Sequence, residues 1–95
     1  MSTTPQHTPQ HTAPDTGELV RQLEEAMLDA ARPRHAGRHI VTIDLHLSFM
    51  GVAQGPLRAR AEVVGGGKTM SFCEAWLDDA EGRTVAQALG TLRAV

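Results

Sequence analysis

One acidic side chain in the N-terminal half of the chain is placed where a carboxylate could act in hydrolysis. Glu24 lies on the border of an apolar stripe whose members recur every three or four residues, as on one face of a helix, whereas Glu25 points nearly opposite that stripe. A partly buried carboxylate can serve as a general base or as a nucleophile. Most glutamates at such a border are plain surface residues, so the spacing alone leaves both interpretations open.

The start of the same predicted helix offers a second piece of chemistry. The free backbone N–H groups and the positive dipole end of a helix N-terminus can polarise a carbonyl oxygen, and Gly17 would let a substrate approach closely. Asp15 is typical of an N-cap, and Glu18 three residues later predicts a capping box in which its side chain reaches back to the cap. A capping carboxylate at Asp15 would compete with a substrate for the same N–H groups.

Two further polar residues could contact a ligand from a predicted strand. Between Val41 and Phe49 apolar residues alternate with polar ones, which places Asp44 and His46 on one polar face together with Thr42. Histidine is a common proton donor and acceptor in catalysis, so His46 could assist a reaction. A histidine on a strand face is more often an ordinary hydrogen-bonding residue, and Asp44 equally fits a surface position.

Other nucleophiles and loops in the chain carry weaker signals. Ser48 and Ser71 have no histidine and acid at a recognisable spacing, which argues against a serine hydrolase. Cys73 is the single cysteine and has no evident partner base, so we interpret it as a small buried hydrophobe. The segment 65–68 lacks the Ser or Thr and the following helix of a phosphate-binding loop, and is predicted to be a hairpin turn.

One helix and four strands are predicted to position these residues. The helix covers about 16–32 and ends at Pro33, and it is followed by strands at about 39–50, 57–64, 69–78 and 84–95. Turns that contain Gly or Pro separate the strands. This order indicates an α+β domain over residues 15–95, in which one helix packs on a four-stranded antiparallel sheet.

Residues 1–14 have a different composition from the rest of the chain. They are built on a Thr-Pro-Gln-His repeat that is too polar and too rich in proline to bury a core, which predicts a disordered tail. His7 and His11 could bind a metal ion, but two histidines on a flexible tail are far more often simply solvated.

Composition limits the classes of partner. A chain of 95 residues with 41% hydrophobic residues is typical of one globular domain. Its net charge of −2 and scattered arginines argue against a nucleic-acid partner. The longest apolar run is too short to span a membrane and the start does not look like a signal peptide, so we expect no membrane partner and a cytoplasmic location.

The order and spacing of several segments resemble the hotdog-fold thioesterases of the phenylacetate-pathway (PaaI) type. These segments are 41–49, Gly55-Pro56-Leu57 with Ala59 and Ala61, 79–86, and Gly90-Thr91. The family opens its central helix with His-Gly-Gly and has an acid nine residues after the His, so Gly17 and Glu24 match the second Gly and the acid. Asp15 and Thr16 depart from the His and the first Gly. The strands that precede the helix in the family have no counterpart in residues 1–14.

The resemblance implies an enzyme that hydrolyses acyl-CoA or aryl-CoA thioesters and needs neither a metal nor a cofactor. Glu24 would be the base or nucleophile, and the implied substrate-binding residues are Gly17, Glu18, Asp44 and His46. Two alternatives stay open. One is a non-catalytic remnant that acts as a dimeric acyl-CoA-binding or assembly module, and the other is a fragment of a longer thioesterase.

The resemblance also implies an assembly. Strand 40–50 would pair with its own copy in a homodimer, and the spatial strand order would be second, third, fourth, first. Phe72 and Trp76 are predicted to face away from the helix and to mark a second interface, which would give a tetramer. Ordinary core positions are an equal alternative for these two aromatic residues.

Overall fold

The computed structural model describes residues 15–95. Its elements in chain order are helix α1 (Thr16–Ala31), a 3-10 turn (Arg32–His35), and strands β1 (Ile40–Phe49), β2 (Arg58–Gly66), β3 (Met70–Asp78) and β4 (Thr84–Ala94). One helix on a four-stranded antiparallel sheet is the predicted α+β architecture, which is confirmed. The predicted tail, with His7 and His11, lies outside the described residues.

The first turn of α1 is held by Asp15. Its Oδ1 accepts from the backbone N–H of Glu18 at 2.8 Å, which is the expected N-cap. The reciprocal half of the predicted capping box is wrong, because the Glu18 carboxylate instead accepts from Arg21 at 2.6 Å and from Gln22 at 2.8 Å. A guanidinium forms a stronger, charge-assisted hydrogen bond than a neutral backbone N–H does. The hydrogen bond from Arg21, and to a smaller extent the one from Gln22, lowers the pKa of Glu18.

A tight turn carries the chain from the end of α1 into β1. The N–H of Arg38 donates to the carbonyl of His35 at 3.0 Å, with Ala36 at φ −53° and ψ 128° and Gly37 at φ 78°. These are the angles of a type II turn, whose third residue needs the positive φ that glycine adopts without strain. The turn places Arg38 and the residue after it beside the end of the helix.

The strand order in the sheet is β1-β4-β3-β2, and every pair is antiparallel. This is the predicted spatial order. It puts β1 and β2 at opposite edges of the sheet, each hydrogen-bonded on one side only within residues 15–95. Both edges can therefore accept a further strand.

The core lies between α1 and one face of the sheet. Its fully buried members from the helix, β3 and β4 are Leu23, Met27, Ala31, Cys73, Ala75, Leu77, Ala86, Ala88 and Leu92. A Cβ atom at Gly90 would lie 2.9 Å from the Met27 sulfur, so the helix approaches β4 closely because this residue has no side chain. Small residues of β4, among them Ala86, Ala88 and Gly90, thus lie under the helix.

Strand β1 contains an irregularity that changes which face its residues occupy. The register shifts between Thr42 and Asp44, so Thr42 pairs with Leu92 on the helix side and Asp44 pairs with Thr91 on the remote side. The predicted alternation, which placed Thr42 and Asp44 on one face, is wrong at this point. One extra residue, Ile43, interrupts the ladder, and a shift of one residue exchanges the two faces of a strand.

Candidate active site

The half-buried carboxylate of Glu24 meets β1 at this irregularity. The Thr42 hydroxyl donates to Oε2 of Glu24 at 2.6 Å. The register shift turns Thr42 toward the helix, so its hydroxyl reaches the Glu24 side chain. In a regular strand Thr42 would face away from the helix, and Glu24 would lack this partner. Thr42 was missed by sequence reasoning, since no residue type around Ile43 signals a bulge. This hydrogen bond fixes the carboxylate through Oε2, and Oε1 is the oxygen that could react with a substrate.

The predicted carbonyl-polarising end of α1 lies on the same element as this carboxylate. Gly17 is seven residues before Glu24, a separation of about 10 Å along the helix axis. Helical side chains lean toward the N-terminus, which shortens the distance from the Glu24 carboxylate to the first turn. Asp15 already binds the N–H of Glu18, which is one of the first-turn donors for which it was predicted to compete with a substrate.

The other two predicted ligand contacts lie across the sheet. His46 pairs with Leu89 and Asp44 pairs with Thr91, on the face that points away from α1. Both side chains are exposed there. The structure therefore brings Glu24 together with Thr42, and within one chain the sheet separates Glu24 from Asp44 and His46. Glu18 lies on the helix with its carboxylate bound by Arg21 and Gln22.

A serine–histidine pair that the sequence spacing did not reveal lies at the other end of the core. Nε2 of His35 is 2.8 Å from the hydroxyl of Ser71, although the two residues are 36 positions apart. Ser71 is fully buried and His35 is 4% exposed, and no carboxylate contacts the second ring nitrogen of His35. A substrate cannot reach the hydroxyl, so this pair is not a hydrolase nucleophile.

Cys73 also lies inside the core. Its exposure is 2%, and its Sγ is 3.9 Å from the carbonyl oxygen of Met27. Burial raises the pKa of the thiol, an effect that the charge of Arg34 only partly offsets. The thiol is therefore neutral at physiological pH, as expected for a small buried hydrophobe rather than a nucleophile.

Two surface cavities border α1. One, of about 490 Å³, lies between the helix and the edge strand β2, where Ala26 and Ala30 face Ala59 and Ala61. The other, of about 310 Å³, lies at the C-terminal end of the helix beside the start of β1. Among residues 15–95 no group of three His, Cys, Asp or Glu side chains is arranged to hold a metal ion.

The sequence model of the thioesterase superfamily matches residues 16–86, a range that includes α1, the first three strands and the start of β4. The chain belongs to the thioesterase superfamily. The predicted family is thereby confirmed. No match was found among curated protein sequences.

Solved structures show the same fold. A Bacillus halodurans protein crystallised with CoA is 24% identical, with a TM-score of 0.84 over 93% of this chain and 63% of that one. A thioesterase family protein from Silicibacter pomeroyi is 26% identical, with a TM-score of 0.77 over 90% of this chain and 67% of that one. A phenylacetic acid degradation-related protein from Ralstonia eutropha is 28% identical, with a TM-score of 0.71 over 83% of this chain and 61% of that one.

These comparisons establish that this member of the thioesterase superfamily has the hotdog fold. It spans about 63% of the length of the Bacillus halodurans protein. The phenylacetate-pathway type within this superfamily stays a prediction. None of the helices in the described part of the chain has the length and apolar character needed to cross a membrane.

Proposed function

We propose that this protein hydrolyses acyl-CoA or aryl-CoA thioesters, with Glu24 as the base or nucleophile. The observation that carries the proposal is the Glu24 carboxylate, half-buried between α1 and β1 and held at 2.6 Å by the Thr42 hydroxyl. Membership of the thioesterase superfamily supports the reaction class. The match of Gly17 and Glu24 to the family pattern supports the assignment of roles, and a cytoplasmic site of action accompanies this proposal.

The chemistry has two forms that use the same geometry. As a nucleophile, Oε1 of Glu24 attacks the thioester carbonyl carbon, CoA leaves as its thiolate, and water then hydrolyses the resulting anhydride. As a base, the carboxylate takes a proton from a water molecule that attacks the same carbon. In both forms the negative charge that develops on the carbonyl oxygen is stabilised by the backbone N–H groups at the start of α1, near Gly17.

The assembly is part of the proposal. A homodimer through β1 is supported by the open edge of this strand and by the exposed side chains of Ile43, Phe49 and Met50 on it or directly after it. Substrate contacts from Asp44 and His46 would require a ligand, or another copy of the chain, on the face of the sheet remote from α1. The sheet lies between these two side chains and Glu24 of the same chain.

Hydrolysis of a panel of acyl-CoA and aryl-CoA thioesters tests the proposal, followed by loss of the thioester absorbance. We expect Glu24→Gln to lower kcat by at least about 100-fold, since acid–base and covalent groups contribute this much or more. The matched control is Glu25→Gln, whose side chain is 60% exposed on the same helix and, among residues 15–95, pairs only with Arg21. It should keep turnover within about twofold, because a surface ion pair contributes little.

A second candidate function is favoured by one observation. Asp15 stands where the family has histidine, and its carboxylate occupies an N–H group of the first turn. A non-catalytic acyl-CoA-binding module would show a higher melting temperature with acyl-CoA and no thioester loss. A folded wild-type protein that behaves in this way would replace the enzymatic proposal with the binding one, whereas an unfolded or aggregated protein would indicate a fragment.

A further inference from the structure

The cavity at the C-terminal end of α1 is lined by cationic and imidazole side chains. Its lining residues include Leu28 and Arg32 from the helix, His35, Arg38 and His39 from the turn, and Ile40 from β1. No acidic residue from the described part of the chain lines it. The segment 32–39 has three arginines, two histidines and no acid, although the whole chain has a net charge of −2. Positive charge is thus concentrated at one concave site.

The arginines here do not all serve to complete the helix. Arg32 pairs with Asp29, and Arg34 donates to the carbonyl oxygens of Gly65 and Gly67. Arg38 donates to a backbone carbonyl at the end of β4, at 3.3 Å, and within residues 15–95 no carboxylate pairs with it. The negative end of the α1 dipole accounts for cations in the last helical turn, but Arg38 lies beyond the turn that follows. Its charge remains available to a ligand.

His35 supplies an independent indication of a missing partner. It is 4% exposed, and its Nδ1 is the one buried side-chain nitrogen or oxygen in the described part of the chain that has no hydrogen-bond partner. Arg34 donates to the Ser71 hydroxyl, which leaves the hydroxyl proton free to bond Nε2 of His35. In the tautomer in which the hydroxyl donates to Nε2, the ring proton lies on Nδ1, as a donor without an acceptor in the described part of the chain. A buried polar atom of this kind needs a partner, which can be a water molecule, an ion or a ligand.

The cavity lies on the same side of α1 as Glu24. Leu28 and Arg32 follow Glu24 at one and two helical turns, so all three lie on one side of α1. On β1, Ile40 and Thr42 pair with Ala94 and Leu92 and face the same side. Eight residues separate Glu24 from Arg32, which is about 12 Å along the axis. One ligand can therefore reach both the carboxylate and the cationic cavity.

We infer that this cavity binds an oxyanion group carried by the substrate, either a phosphate of the CoA moiety or a carboxylate at the far end of the acyl group. The inference rests on the proposed function, because it assigns a second contact to the same substrate. Arginine suits both groups, since its planar fork can donate two parallel hydrogen bonds to a phosphate or a carboxylate. The donor on Nδ1 of His35 adds a neutral bond from the protein interior.

Calorimetric binding to Glu24→Gln protein, in which thioesters would persist, tests the inference and separates the two sources. One arm compares CoA with 3′-dephospho-CoA and pantetheine. The other compares an acyl-CoA with an ω-carboxyacyl-CoA of the same chain length. Each is repeated with Arg38→Gln added, and with Arg58→Gln as the matched control, since Arg58 is an exposed arginine at the opposite end of the sheet.

We expect Arg38→Gln to weaken binding of the ligand that carries the recognised anion by about 10-fold and to leave its neutral counterpart unchanged. Arg58→Gln should change neither. Equal affinities of the wild-type and Arg38→Gln backgrounds for every ligand would overturn the inference. If Arg38→Gln lowers the melting temperature, His39→Gln replaces it, because His39 is an exposed lining residue.

The outcome does not depend on turnover. CoA binding that requires Arg38, in a protein without hydrolase activity, would support the anion site and refute the enzymatic proposal. Glu24-dependent hydrolysis with no effect of Arg38→Gln on the binding of any ligand would support the enzymatic proposal and overturn the anion site. The two proposals can therefore fail separately.

Discussion

Two carboxylates decide the chemistry at the scale of single residues. Glu24 is bound by one hydroxyl, and Asp15 is bound by the backbone N–H of Glu18. In the proposed reaction the first would act on the thioester, and the second would place a negative charge beside the donors that stabilise the developing oxyanion. Removing the charge of Asp15 while keeping the cap should therefore help catalysis.

We expect Asp15→Asn to raise kcat by about 10-fold. A negative charge near the reacting oxygen raises the energy of the transition state by an amount that corresponds to at least this factor in rate. Asparagine is as good an N-cap as aspartate, so the melting temperature should not change. The control is Asp15→Ala, which removes both the charge and the cap and should lower the melting temperature. Steady-state kinetics and thermal unfolding of the three proteins check this; an Asp15→Asn protein with lower kcat would show that the carboxylate takes part in catalysis.

At the scale of elements, the sequence predicts whatever depends on periodicity and local turn chemistry. The apolar stripe of α1 and the Asp15 cap follow from residues within one or two helical turns, and both are observed. The bulge at Ile43 could not be predicted, since it depends on how β1 registers against β4. The pairing of His35 with Ser71 likewise arises only once β3 packs beside the end of the helix. Thr42 was not predicted as part of the candidate site, because its orientation depends on the bulge at Ile43.

Close packing of α1 on β4 predicts a steric effect at Gly90. A Cβ there would lie 2.9 Å from the sulfur of Met27 and 3.1 Å from Leu45. We expect Gly90→Val to lower the free energy of unfolding by about 1–3 kcal/mol, which is typical of overpacking. The control is Gly51→Val, because no atom lies within 4 Å of a Cβ at that position.

Met27→Ala provides the test of cause. If the clash with Met27 is responsible, the double variant Gly90→Val/Met27→Ala should be more stable than the sum of the single changes allows, by about 0.5–3 kcal/mol. Urea unfolding of the four proteins measures this. Additive losses would mean that another neighbour, such as the Leu45 side chain, rather than the methionine is the constraint.

The β3–β4 loop predicts a pH dependence of stability. The buried carboxylate of Asp79 accepts from the N–H groups of Glu81 at 2.9 Å, Arg83 at 3.1 Å and Gln54 at 3.3 Å. Burial alone would raise the pKa of Asp79, but these bonds and the charge of Arg83 outweigh it, so the pKa lies below its usual value. The stabilisation is present above the unfolded pKa of about 3.9 and is lost as the pH falls through the folded pKa.

We therefore expect Asp79→Ala to lower the urea midpoint strongly at pH 7 and much less at pH 3. The matched control is Asp29→Ala, since Asp29 is 72% exposed and forms only a surface pair with Arg32. It should unfold close to the wild type at both pH values. A loss for Asp79→Ala that is equal at pH 7 and pH 3 would show that the shape of the side chain, and not its charge, holds the loop.

At the scale of the whole molecule, the chain exposes apolar side chains on two separate surfaces. Ile43, Phe49 and Met50 lie along or just after the open edge of β1. Phe72 and Leu89 lie on the sheet face remote from α1 and are 45% and 46% exposed. The predicted orientation of Phe72 and Trp76 away from the helix is confirmed, and the Arg60 guanidinium covers the Trp76 ring at 4.6 Å. Exposed large apolar side chains that cluster on one surface are typical of interfaces.

We expect the wild-type protein to sediment as a tetramer, with β1 edges joined within dimers and the remote faces joined between them. Phe72→Lys/Leu89→Lys should convert it to a dimer, because lysines on that face would have to be desolvated at the interface. The control is Val52→Lys, in the loop after β1, where the side chain is already 73% exposed. Sedimentation equilibrium gives the masses.

A tetramer that survives the double change would place its second interface elsewhere, and a wild-type monomer at micromolar concentration would remove the dimer through β1 as well. Since Glu24 and Thr42 contact each other within one chain, such a monomer would still carry the proposed carboxylate site, and its turnover would show whether the site needs a partner subunit.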